Sequence, residues 1–180
     1  MVTPRPRASR RCEIRPLATF DARFDELWAR HRDIARVVQV RDAAFLRWRF
    51  ADVPAFDYEP FEILVGGKLE GFVVLRSLTL FDLPFAAVVD LFTCPVVDAD
   101  ITREVLSFAQ LRAAERGAAF LTALLPPAHA RHLSGFGFLR VPGFMNLRRW
   151  ILGARCAPAD APVLEQIANW WLTYGDADIV

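Results

Sequence analysis

Residues 85–138 read FAAVVDLFTCPVVDADITREVLSFAQLRAAERGAAFLTALLPPAHARHLSGFGF. Phe85 to Phe92 is a long, mostly apolar run broken by one acid, Asp90, and it is predicted to form a strand that Pro95 ends. Asp98 or Asp100 is placed to cap a helix from Ile101 to Arg116. Its apolar stripe is Ile101, Val105, Phe108 and Leu111, with Leu106 and Ala109 beside it. Gly117 closes that helix. Ala118 to Leu125 is all but continuously apolar, as a strand buried on both faces would be. A strand, an amphipathic helix and a buried strand in succession predict a β-α-β unit with the two strands parallel. Pro126-Pro127 stops the second strand. A short helix, Ala128 to Leu133, follows and is closed by Ser134-Gly135-Phe136-Gly137-Phe138.

Upstream of this unit, Phe61 to Leu80 reads as two strands joined by Gly66-Gly67-Lys68-Leu69-Glu70-Gly71, and Asp82-Leu83-Pro84 is the turn into the third. Before them come two helices. Thr19 or Asp21 caps one that runs to Arg32, with Phe20, Phe24, Leu27, Trp28 and His31 on one face. Asp42 caps the other, Ala43 to about Phe50, and Pro54 ends it. Downstream, Phe144 to Leu152 is a late strand carrying Arg148, Arg149 and Trp150. Pro158 and Pro162 mark a loop, and Leu164 to Trp171 is a short helix before the tail. Residues 1–16 are polar, Arg- and Pro-rich, and are expected to be a poorly ordered basic arm. Residues 17–180 form one domain. The expected class is α/β in the α+β sense: a mixed, mostly antiparallel central sheet with a β-α-β core and flanking helices.

The composition agrees with a packed domain. The chain has 180 residues, 54% of them hydrophobic and 24% charged, with a formal net charge of +1. That apolar content excludes disorder over most of the chain. No run of about 18 apolar residues is free of charge or proline, so no spanning helix is expected. Charge is uneven along the chain: residues 1–50 hold twelve arginines against six acids, and residues 51–130 hold five basic against eleven acidic residues. No part forms the basic domain that nucleic-acid binding usually needs. Three widely spaced cysteines, Cys12, Cys94 and Cys156, make neither a disulfide framework nor a zinc ribbon, and the expected compartment is the cytoplasm.

Other constellations are weaker. His129 and His132 lie three residues apart on the short helix, but no further ligand stands at a metal spacing. Asp176 and Asp178 beside Gly175 lack the length and closing acid of a calcium loop. There is no Gly-x-Ser-x-Gly elbow, phosphate-binding Walker sequence or dinucleotide fingerprint.

The order of elements, with the Leu133–Phe138 stretch, resembles the GCN5-related N-acetyltransferase (GNAT) fold over roughly residues 18–155. Phe45–Phe50 and Trp171–Asp178 are similar to divergent bacterial GNAT-like proteins. That resemblance implies an acyltransferase moving an acyl group from acetyl-CoA or another acyl-CoA to an amine or hydroxyl of a small acceptor. Phe85–Thr93 then matches the family's fourth strand and Ala118–Leu125 its fifth. Asp90 falls where a carboxylate base or water-positioner would stand; a structural pairing with an arginine is the other reading of the same residue. A catalytic Asp90 is expected to have a pKa raised by burial. Backbone of Leu91, Phe92, Thr93 and Cys94 is placed to hold pantetheine, and the helix start at Asp100, Ile101, Thr102 and Arg103 to face the diphosphate. Trp48, Arg49 and Tyr58 fall on the acceptor wall. The sequence departs from the family pattern in two places. Residues 94–103 contain no glycine and carry Asp98 and Asp100, and no tyrosine lies on the short helix. These departures keep an alternative open, a non-catalytic GNAT-fold module that binds a ligand or partner. A second copy of the chain, meeting an edge strand or the aromatic tail with Trp170 and Trp171, is an expected partner.

Overall fold

The computed structural model describes residues 11–53, 56–80, 82–93, 99–133, 136–140 and 157–177. Its main sheet has five strands: β1 (Glu13–Pro16), β3 (Tyr58–Val65), β4 (Lys68–Leu80), β5 (Leu83–Thr93) and β6 (Phe120–Ala123). They lie side by side in the order β1-β3-β4-β5-β6. The first three pairings are antiparallel and β5–β6 is parallel. The parallel pair follows from the connection between its strands, since α3 (Ala99–Glu115) crosses over from one to the other.

The meander is wound more tightly than the sequence implies. Val65 pairs with Lys68, so β3 and β4 are joined by Gly66-Gly67 alone, both at positive φ. A two-residue turn of that hand matches the twist of the strands it joins. Part of the stretch expected to be a poorly ordered arm is a strand. Glu13–Pro16 is a strand paired with Phe61–Leu64, a short charged edge that turns Ile14 toward the sheet's core.

Each face of the sheet carries its own core. On one side α1 (Ala22–His31) and α2 (Ala43–Leu46) lay Phe24, Leu27, Ala43 and Leu46 on Phe72, Val74, Ala87, Val89 and Phe92. On the other, Ile101, Val105 and Ala109 of α3 cover Ile63, Val73, Val88 and Leu91. Each such fully buried Phe, Leu or Ile stabilises the fold by about 1.5–3 kcal/mol relative to exposure. Asp21 caps α1 through the Arg23 amide, and Asp42 caps α2 through the Phe45 amide. Beyond Leu46 the helix widens into a π turn, Arg47–Ala51, that turns Phe50 and Arg49 inward and leaves Trp48 61% exposed.

The chain's end is built differently from the single helix that the sequence implies over Leu164–Trp171. α4 (Pro127–Ala130) and α5 (Ala161–Leu164) are single turns. After a 3-10 turn at Ile167–Asn169, Trp170–Trp171 becomes β7, pairing parallel with β2 (Val37–Val38). Another 3-10 turn, Tyr174–Asp176, follows. The late strand expected over Phe144–Leu152, with Arg148, Arg149 and Trp150, lies outside the described residues, as do Cys94, Asp98, Ser134, Gly135, Cys156 and Asp178. Among the described residues no helix is long and apolar enough to cross a membrane.

Candidate active site

The site is built around the second half of β5. Its register with β6 runs from Phe85↔Phe120 to Val88↔Ala123 and stops there. β5 continues for five more residues, paired only with β4 among the described residues. At the parting point the β4–β5 register shifts: Leu75 opposes Val88 and Val74 opposes Asp90, so Val89 is an extra residue. A bulge of this kind takes backbone groups out of the ladder and re-aims side chains. Here it sets Asp90 opposite Val74, on the α1/α2 face that Val89 also lines.

Asp90 enters a closed ion cluster on that face. The Arg41 Nε donates to Asp90 Oδ2 at 3.0 Å and its NH2 to Asp90 Oδ1 at 3.3 Å. The same guanidinium reaches Asp176 at 2.9 and 3.0 Å. The Thr173 hydroxyl donates to Asp90 Oδ1 at 3.0 Å. Arg41 and Asp90 are each 1% exposed. Burial, with a second carboxylate on the same guanidinium, holds the Asp90 carboxyl above the usual carboxylate range, against the pull of Arg41. The two carboxylates raise the Arg41 pKa further, more than its own burial lowers it.

Arg49 makes a second clamp on the same segment. Its Nε donates to the Gly175 carbonyl at 3.0 Å, its NH2 to the Ala177 carbonyl at 2.7 Å and its NH1 to Tyr58 Oη at 3.1 Å. Tyr174 Oη lies 2.9 Å from Thr122 Oγ1 on β6. Residues 173–177 thus cross from β5 to β6 over the place where the two strands part. Trp171 is the apolar root of this segment, 2% exposed, with its ring 5.6 Å from that of Phe92 and 5.0 Å from that of His129.

The opposite flank is formed by α3 and α4. Thr102 Oγ1 and His129 Nδ1 lie 2.9 Å apart, both side chains fully buried. Burial, aided by His132 and Arg131, lowers the His129 pKa to about 4. Thr93 Oγ1 at the end of β5 is buried without a hydrogen-bond partner among the described residues.

No protein-family model matches the chain, and no curated protein matches it in sequence. Solved structures do match it. The Thermus thermophilus protein TTHA1254 superposes with a TM-score of 0.55 at 18% identity, covering 79% of this chain and 99% of its own. A ribosomal-protein-alanine N-acetyltransferase from Brucella melitensis biovar Abortus 2308 gives 0.55 at 19% identity, over 80% of this chain and 99% of its own. The aminoglycoside acetyltransferase meta-AAC0020, from an uncultured soil metagenomic sample and in complex with trehalose, gives 0.50 at 14% identity, over 79% and 97%. The chain has the GNAT fold.

Within the GNAT fold the residues singled out from sequence take distinct places. Leu91, Phe92 and Thr93 lie on the length of β5 that pairs with β4 alone among the described residues, with Leu91 and Phe92 in the two opposite cores. At the start of α3, Ile101 and Thr102 are turned into the interior, while Asp100 and Arg103 stand at the surface, 3.6 Å apart. Asp100 also meets Arg11 at 2.8 Å. Arg49 meets Tyr58 and the Gly175 and Ala177 carbonyls, whereas Trp48 lies outside that cluster against Phe45. Of the tail tryptophans named as a partner surface, Trp171 is core and Trp170 is half-buried, its Nε1 donating to the Leu164 carbonyl. Sequence reasoning misses Arg41, Thr173 and Asp176 as members of this site. A lone arginine before a helix carries no local signal. Asp176 reads from sequence only as a weak metal ligand, though a Thr-x-x-Asp capping pattern at 173–176 is there to be found.

Proposed function

We propose that the chain is an acyltransferase of the GNAT type, moving an acyl group from acetyl-CoA or another acyl-CoA to an amine or hydroxyl of a small acceptor. The observation that carries this reading is the parting of β5 and β6 beside the Val89 bulge. An open run of strand backbone suits the amide-rich pantetheine arm, which can add to it as a further strand would. The Thr93 hydroxyl, without a hydrogen-bond partner among the described residues, lies at the end of that run and suits a polar group of the arm. A backbone N–H freed at the bulge would polarise the thioester carbonyl. The α3 start, with Asp100 to Arg103, would face the diphosphate; Arg103 would have to offset Asp100 there. Such a protein would work in the cytoplasm.

Asp90 keeps one proton-accepting reading, as base or water-positioner, but its two oxygens are held by Arg41 and Thr173 and covered by Gly175. In this arrangement its part is to position the bulge and the end of the chain. Water is the remaining acceptor for the proton of the attacking amine.

A second reading has its own observation. Asp90 accepts from Thr173 and Arg49 donates to the Gly175 and Ala177 carbonyls, with Tyr58 held by Arg49, so these side chains are spent within the protein, which favours a GNAT-fold module that binds a ligand or partner without catalysis. Titration calorimetry with acetyl-CoA and with free CoA separates the two. Micromolar binding of both supports the acyltransferase, and no heat at millimolar ligand removes it. If acetyl-CoA binds, turnover of Asp90→Asn decides the base: a loss of orders of magnitude in a folded variant assigns that role to Asp90, and an unchanged rate leaves it to water.

A further inference from the structure

We propose that residues 174–177 form a strap, hinged at Thr173, that lifts from the open half of β5 to admit the acyl acceptor, with Arg49 as its latch. The acceptor role rests on the acyltransferase reading above; the opening itself does not. Three features of the segment lead here.

The first is a division of labour along the tail. Trp171 is sunk in the α1/α2 core, so the root is fixed. Beyond Thr173 the Tyr174 ring packs against the α1/α2 core, and the other ties are polar: Asp176 to Arg41, the Gly175 and Ala177 carbonyls to Arg49, and the Tyr174 hydroxyl to Thr122. Polar ties are readily exchanged for water, and a segment held by them opens more easily than one held by buried apolar area.

The second is what remains after opening. When Asp176 leaves, Arg41 still holds Asp90 through two hydrogen bonds and also donates to the Gln39 carbonyl. When the two carbonyls leave, Arg49 still has Tyr58. Neither buried guanidinium loses its last partner, so the large penalty for an unpaired buried charge does not arise.

The third is steric exclusion. Gly175 lies so close to Asp90 that a Cβ on it would stand 3.0 Å from Asp90 Oδ2 and 3.2 Å from Asp90 Cβ and Cγ. No acceptor fits between strap and bulge. An acceptor on the α1/α2 side and the closed strap are therefore alternatives, and the closed form lowers the acceptor's apparent affinity by the fraction of time it is open.

Hydrogen exchange of the full chain, read by mass spectrometry, tests this with Arg49→Met and Gly175→Ala. The first removes the latch. The second drives a methyl against a carboxylate that Arg41 holds in place. In the wild type, amides 174–177 are expected to exchange at least tenfold faster than those of β5 and Trp171. Both variants are expected to raise that local rate a further tenfold, leaving β5 protected. Exchange of 174–177 only together with β5, under every denaturant concentration, would overturn the strap. A functional arm runs in parallel, with thiol release from acetyl-CoA into water as the readout. Both variants are expected to leak faster than the wild type by at least threefold. An unchanged leak in a variant whose strap opens more overturns its guarding role. If the wild type fails to bind acetyl-CoA, the acyltransferase reading fails instead, and the exchange data alone decide whether the strap exists.

Discussion

Arg41 and Asp90 face each other on the α1/α2 side of the sheet, Nε to Oδ2 at 3.0 Å, in a place where each is 1% exposed. One comes from the segment before α2 and the other from the first strand of the β-α-β unit. Together they tie the helical layer, the sheet and the chain's end at Asp176 into one cluster.

The members of that cluster should be energetically coupled. Arg41→Met leaves two buried carboxylates without a cation and is expected to destabilise the fold by about 3–5 kcal/mol. Asp90→Asn keeps a hydrogen-bond acceptor and leaves Arg41 with Asp176, so its cost should be smaller. The double variant should fall short of the sum of the two by about 1 kcal/mol or more, as contacting pairs do. Urea denaturation of the four proteins measures the coupling, and additivity would mean that the pair does not act as a unit.

Trp171→Ala should be the most damaging change in the last ten residues. The side chain fills the space between Phe92 and His129, and deleting a buried Trp costs about 3–5 kcal/mol. Trp170→Ala, half-buried beside it, should cost clearly less. Thermal unfolding of the two variants ranks them directly.

Acid should weaken the protein through His129. Its pKa is lowered to about 4 in the fold from an ordinary 6.5, so the unfolded chain binds the extra proton first as pH falls. Stability is fully present above about pH 6.5 and is lost progressively down to about pH 4. At about 1.36 kcal/mol per unit, the loss is about 3 kcal/mol. His129→Gln should flatten the fall of ΔG between pH 6.5 and pH 4 relative to wild type, whatever its effect at neutral pH. Parallel curves for the two proteins would assign the acid sensitivity elsewhere.

The cap of α2 offers a milder check. Asp42 accepts from the Phe45 amide at 2.8 Å. Asp42→Ala should cost about 1 kcal/mol, and Asp42→Ser or Asp42→Asn should recover most of it. Equal stability of the alanine and serine variants would show that the side-chain bond contributes nothing there.

Much of the scaffold is legible in the sequence because its signals are local. The apolar runs of 61–93, the glycines that signal a turn after Val65, the stripe on α3 and the acids at positions 21 and 42 each act within a few residues. From them follow the meander, the crossover helix and the parallel partner strand, since a helix of that length can return the chain only to a parallel neighbour. The edges of elements are less legible. β1 at Glu13–Pro16 looks like a polar arm because an exposed edge strand needs few apolar residues. β7 looks like helix because Trp170-Trp171 borders a helical pattern and pairs with a two-residue strand 133 positions away, at Val37.

The candidate site divides along the same line. Sequence alone determined that an acid interrupts an apolar strand at position 90, and that this strand and the one after the helix lie side by side. Those are consequences of period, length and chain connection. Only tertiary structure decided what the acid does. Whether a buried carboxylate faces a substrate or an arginine depends on which distant segment the fold brings over it. Arg41 reaches Asp90 from 49 positions upstream, and Asp176 joins the same guanidinium from 86 positions downstream of Asp90; the bulge at Val89 and the anchoring of Trp171 bring them together.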